Sequence, residues 1–143
     1  MKIAVVGTGY VGLVAVVCFT EKSHNVTCVD VDEAKVKIMK SGHSPIYEKY
    51  LEEHMIKNYN AGRLDYITDF KSAYKNADAI FIGVGTPELL DELANLDYVA
   101  TVSRQIAETV ENNCLVVKST VPIGTNDKVE QFIKDTLVHD VKI

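Results

Sequence analysis

The chain has 143 residues, 47% hydrophobic and 24% charged, with 15 Lys and Arg against 20 Asp and Glu for a formal net charge of −5. That length is one domain with enough apolar residues for a sizeable core, and the acidic balance argues against nucleic acid or an anionic membrane as a partner. The apolar run at 13–20 is too short to span a bilayer, and no run has a signal-peptide profile, so a soluble, cytoplasmic protein with no membrane partner is expected.

The first strand is expected at residues 3–6, Ile-Ala-Val-Val, a β-branched run that suits a strand buried on both faces of a parallel sheet. It runs into Gly7-Thr8-Gly9-Tyr10-Val11-Gly12, a G-x-G-x-x-G, and then into the apolar helix expected at 13–20. Each glycine has its own role: Gly7 permits the turn out of the strand, Gly9 lets a pyrophosphate approach the backbone, and Gly12 lets the helix pack on the strand. The free N–H groups and positive dipole end of that helix then favour a phosphate anion. Alone the motif is weak. A second apolar run, 25–29, ends in Asp30, eighteen residues after Gly12. A carboxylate there accepts hydrogen bonds from adenosine ribose hydroxyls and disfavours a 2′-phosphate, which points to NAD rather than NADP. The competing reading of the same residues is a glycine-rich strand–helix turn that binds nothing.

Asp32 is expected to cap a helix that carries Val36 and Met39 at helical spacing and stops near Ser41-Gly42. Lys35, on its first turn, either lies toward the adenosine end of a cofactor or is simply solvated. Residues 43–47 are a loop because Ser44 precedes Pro45. A helix is expected at 48–58, with Leu51 and Met55 four apart, then a third strand at 64–67 and a short helix at 70–75 behind Asp69. The fourth strand, at 77–84, runs into Gly85-Thr86-Pro87. The carboxyl end of a parallel strand is where α/β sheets place ligands, so Thr86 offers a hydroxyl to one; the other reading is an ordinary strand-end turn. An acidic loop at 88–95 precedes a helix at 96–110 with Val99, Val102, Ile106 and Val110 on one face. The fifth strand, 115–117, ends in a small polar turn, 118–125; a helix follows at 127–137, and 141–143 begins a sixth strand. This alternation gives a Rossmann-type doubly wound parallel sheet, order 3-2-1-4-5-6 with the sixth strand truncated, in three layers α/β/α.

Cys18, Cys28 and Cys114 form no C-x-x-C pair and fall in apolar elements, so buried structural thiols are expected and no nucleophile. His24, His43, His54 and His139 lack metal-ligand spacing and are expected on the surface or in loops; no metal is expected.

Four stretches together, KIAVVGTGYVGL at 2–13, VDVDEAKV at 29–36, VGTP at 84–87 and KSTVPIGT at 118–125, with SPIYE at 44–48 as a weaker fifth, make the whole chain resemble the N-terminal NAD-binding domain of the UDP-glucose/GDP-mannose dehydrogenase family. The resemblance implies an oxidoreductase that takes the C6 alcohol of UDP-glucose or a related nucleotide sugar to the carboxylate with two NAD, through a cysteine thiohemiacetal and thioester. It implies Tyr10 and Val11 N–H groups on the pyrophosphate, Asp30 on the adenosine ribose with Lys35 near it, and Thr86 and Thr120 lining the cofactor toward the nicotinamide. Thr120 would also support catalysis by ordering water or polar groups at the reacting centre.

Family members are usually much longer. The Asn-Pro-Glu-Phe loop, the central dimerising helix and the nucleotide-sugar domain with the cysteine nucleophile have no counterpart in 1–143. The expectation is therefore the cofactor domain of a longer, homodimeric dehydrogenase, without turnover by itself. Two departures stand out: Lys49-Tyr50 replaces the usual Pro-Gly, and the usual Gly before the helix at 96 is missing. Two other readings share the fingerprint: a stand-alone NAD-sensing regulatory module and the cofactor domain of another 3-hydroxyacid-type dehydrogenase. The VGTP and KSTVPIGT turns argue against the first, and STVPIGT in this place argues against the second.

Overall fold

The computed structural model describes residues 1–87, 95–109 and 114–137. Five parallel strands, β1 (Lys2–Val6), β2 (Asn25–Val29), β3 (Leu64–Ile67), β4 (Ala79–Ile82) and β5 (Cys114–Val117), form one sheet in the order β3-β2-β1-β4-β5. The expected sixth strand, the 88–94 loop, Val110 and His139 lie outside the described residues.

The apolar strands follow from cover on both faces. Ile3, Val5, Val26, Cys28, Leu64 and Tyr66 point to one side, where they pack with Leu13 and Val16 of α1 (Tyr10–Glu21), Val36 and Met39 of α2 (Glu33–Lys40), and Leu51 and Met55 of α3 (Leu51–Asn60). Ala4, Val6, Ile80 and Ile82 point to the other. There they meet Ala73 and Tyr74 of α4 (Phe70–Lys75), Val99, Val102 and Ile106 of α5 (Asp97–Ala107), and Val129 and Ile133 of α6 (Thr125–Thr136). Each fully buried Ile or Leu of this kind contributes about 1.5–3 kcal/mol by leaving water. The chain builds outward through β2 and β3 on one side of β1 and through β4 and β5 on the other. The crevice between the carboxyl ends of β1 and β4 is thus the topological switch point.

Some helices begin a few residues from their expected limits, and others begin where expected. α1 starts inside the glycine motif, at Tyr10. α2 starts where expected, because the Asp32 side chain accepts from Ala34 N–H (2.9 Å) and Lys35 N–H (3.3 Å). α3 starts at Leu51 rather than 48, because Tyr50 takes a left-handed backbone (φ 66°) that no helix can contain. A tyrosine in that left-handed backbone is strained, since only glycine adopts it freely.

Cys18 is exposed, against expectation. Leu13, Val16 and Thr20 form the stripe of α1 that faces the sheet, and Val14 and Cys18, four apart, fall on the outer stripe. Cys28 is buried as expected, and burial pushes its thiol far up from the ordinary range. His54 sits on α3 rather than in a loop, half-buried, with Nδ1 3.3 Å from Glu21 Oε1.

Candidate cofactor site

The glycine motif is built to two different tolerances. Gly7 has φ 98° and donates its N–H to Val29 O (2.9 Å). A Cβ on Gly7 would sit 2.7 Å from Gly83 O, and a Cβ on Gly12 would sit 2.0 Å from Gly7 O. A Cβ on Gly83, which the sequence reading passed over, would lie 3.2 Å from Gly12 Cα. These three glycines let α1 seat directly on the ends of β1 and β4. Gly9 is different: a Cβ there would meet no described atom within 4 Å. Among the described residues nothing requires glycine at Gly9, and the space in front of its backbone is open.

Gly9 is also the N-cap of α1, with no side chain closing the helix end. The first bond of the helix runs from Leu13 N–H to Gly9 O (2.9 Å). The N–H groups of the first turn, at Tyr10, Val11 and Gly12, precede it and have no intrahelical acceptor, so the positive end of the helix faces the open space. The Tyr10 hydroxyl donates to Tyr47 O (3.0 Å), which ties the 44–48 loop to the same helix end.

Asp30 stands half-buried just past β2, beside the motif. Its Oδ2 accepts from Thr8 N–H (3.1 Å) and from the Thr8 hydroxyl. Its Oδ1 accepts from Asp32 N–H (2.9 Å). Thr8 itself is only 3% exposed. The sequence reading missed Thr8, although a hydroxyl residue between the two glycines was a visible signal. Lys35 lies exposed on the first turn of α2.

Across the switch point the turns after β4 and β5 are stapled together. Lys118 N–H and Ser119 N–H both donate to Ile82 O (2.8 and 3.0 Å), and Ser119 Oγ donates to Val84 O (2.7 Å). Thr86 Oγ1 donates to Thr120 O (2.7 Å), so Thr86 and Thr120 come together as neighbours at the carboxyl edge. The Thr120 side chain is exposed, while Ser119 is buried. Ser119 is the second residue that sequence reasoning missed. It lies in the bend just past β5, where its N–H donates to Ile82 O and its hydroxyl to Val84 O, holding it inward while Thr120 stays exposed.

The donor set fits a dinucleotide: an open backbone cradle at a helix N-terminus for phosphates, a fixed carboxylate for ribose hydroxyls, and hydroxyls on the far side of the switch point. Among the described residues no group of three or more His, Cys, Asp or Glu could hold a metal ion, and no helix is long and apolar enough to cross a membrane.

Residues 1–143 match the family model described as the UDP-glucose/GDP-mannose dehydrogenase family, NAD binding domain. The chain is 46% identical, over its whole length, to a UDP-glucose 6-dehydrogenase of Bacillus subtilis, of which it covers 33%. It is also 46% identical, over 95% of its length, to a UDP-glucose 6-dehydrogenase of Rhizobium meliloti, covering 32% of that protein. Among solved structures, a ternary complex of GDP-mannose dehydrogenase from Pseudomonas aeruginosa superposes with a TM-score of 0.93 at 38% identity, over 98% of this chain and 33% of that one. A UDP-glucose dehydrogenase from Pyrobaculum islandicum superposes with a TM-score of 0.88 at 35% identity, over 94% of this chain and 32% of that one. The chain therefore spans about a third of the length of the curated relatives it matches. With this fold, this glycine cradle and a family match over every residue, the chain belongs to the UDP-glucose/GDP-mannose dehydrogenase family, as its NAD-binding domain.

Proposed function

We propose that this chain supplies the NAD site of a nucleotide-sugar 6-dehydrogenase, which oxidises the C6 alcohol of UDP-glucose or a related nucleotide sugar to the carboxylate. The observation that carries the reading is the contrast at the motif: Gly7 and Gly12 are required by the protein's own packing, whereas no described residue requires a glycine at Gly9. A glycine with no internal reason, at an uncapped helix N-terminus beside a held carboxylate, is explained by a ligand that presses on the backbone.

In this reading the N–H groups of Tyr10 and Val11 hold the pyrophosphate, Asp30 takes the adenosine ribose, and Lys35 lies near the same ribose. Thr86 and Thr120 line the nicotinamide side. When bound, NAD supplies the hydride acceptor. The chain's own residues bind and orient it, and Thr120 orders water or polar groups at the reacting centre. Cys18 lies on the outer stripe of α1, and Cys28 is buried with its thiol held protonated. The nucleophilic cysteine belongs to the rest of a longer, cytoplasmic, homodimeric parent. The 143-residue chain alone has no turnover.

Calorimetric titration of the chain with NAD and, separately, with NADP tests the reading. Binding of NAD in clear preference to NADP is the expected result. Equal binding of both would remove Asp30 from the ribose, and binding of neither would remove the site from this chain.

A further inference from the structure

We infer that Thr8 is a positioning residue of the cofactor site: it locks the Asp30 carboxylate in the one orientation that accepts a ribose hydroxyl and repels a 2′-phosphate. The inference deepens the cofactor reading above and rests on it.

An ionised carboxylate has about four lone-pair sites. Protein donors occupy three of those on Asp30. Thr8 N–H (3.1 Å) and the Thr8 hydroxyl take both sites of Oδ2, and Asp32 N–H (2.9 Å) takes one of Oδ1. One acceptor site remains, on Oδ1, so a ribose makes its charge-assisted hydrogen bond there. The same bonds prevent the carboxylate from swinging aside. Rotation about its side-chain torsions to make room for a second anion would break two bonds to Thr8 at once. Thr8 is buried and its backbone belongs to the cradle itself, between Gly7 and Gly9, so cradle and carboxylate move as one body. Discrimination against NADP thus depends on Thr8 as well as on the charge of Asp30. A residue that merely braced the loop would affect stability and leave the ratio of NAD to NADP affinities alone.

The test is titration of NAD and NADP into the unsubstituted chain, Thr8→Val, Thr8→Ser, Asp30→Ala and the double variant, each with its thermal midpoint. Thr8→Val keeps the shape and the N–H and removes the hydroxyl; Thr8→Ala takes its place if the valine variant does not fold. The expected result is a loss of about tenfold in NAD affinity, the size of one hydrogen bond to a charged group, with NADP affinity unchanged or raised. Thr8→Ser restores the NAD to NADP ratio to within about twofold, because it returns the hydroxyl. In the Asp30→Ala background the Thr8 substitution has no further effect, because the group it acts through is gone. A lowered midpoint with an unchanged affinity ratio, or losses that add in the double variant, would overturn the role of Thr8 and leave the cofactor site standing. Failure of the unsubstituted chain to bind NAD would overturn both.

Discussion

The two halves of the carboxyl edge reach a fixed shape by opposite means. At β1 and α1 the shape is set by backbone meeting backbone. Gly7, Gly12 and Gly83 bring main-chain atoms so close that a single added methyl would lie 2.0 Å from a carbonyl oxygen. At β4 and β5 it is set by hydroxyls, with Ser119 and Thr86 each donating to a carbonyl of the neighbouring turn. Backbone contact leaves no room for substitution. Hydroxyl contact tolerates it at the cost of one bond. The first half therefore suits a cradle whose atoms must not move, and the second suits a surface that is reshaped by changing side chains.

Six substitutions press on that comparison. The largest effect is expected from Gly12→Ala, whose methyl collides with Gly7 O; a loss of about 3 kcal/mol or more in urea unfolding follows from overpacking against backbone that cannot retreat. Gly9→Ala sharpens the contrast: it costs at most about 1 kcal/mol of stability, as the change of an N-cap, and its main effect is on NAD affinity. Asp30→Ala should weaken NAD binding by about 1–3 kcal/mol by calorimetry, the range for hydrogen bonds to a charged group.

In the second half, Ser119→Ala should cost about 1 kcal/mol in the same unfolding assay, since the Val84 carbonyl loses its donor. A cost as large as that of Gly12→Ala would erase the distinction between the two halves. Tyr50→Gly works in the other direction: relief of the left-handed backbone should stabilise the chain by up to about 1 kcal/mol. The smallest effect is expected at Glu21. Hydrogen bonds from Lys57 and Asn58, with His54 Nδ1 3.3 Å away, hold its carboxyl down to about 2 from 4.5. A carboxyl depressed by folding adds stability above its unfolded value and loses it as pH falls, here between about 4.5 and 2. Glu21→Gln should flatten that part of the stability profile. The effect is small because the group is at the surface, where solvent screens ion pairs.

Much of the fold was legible because it is local. The apolar run at 3–6, the Asp32 cap and the alternation of strand and helix patterns each depend on residues close in sequence, and each appears where expected. The exposed Cys18 was misread because α1 is apolar on all sides, so periodicity could not say which stripe faced the sheet. The start of α3 was misread because the left-handed turn at Tyr50 carries a residue that gives no sign of it.

By itself the sequence determined the class of the protein: a parallel sheet, a dinucleotide motif, an acidic residue at the end of the second strand and two polar turns at strand ends. Only the tertiary structure decided which atoms work together. Thr8 meets Asp30 across 22 residues, Ser119 meets Val84 across 35, and Gly12 closes on Gly83 through space. Hydrophobic pattern and turn chemistry act over a few residues and survive in the order of the letters. Hydrogen bonds and close contacts between strands depend on the register of the sheet, which exists only once the strands have paired.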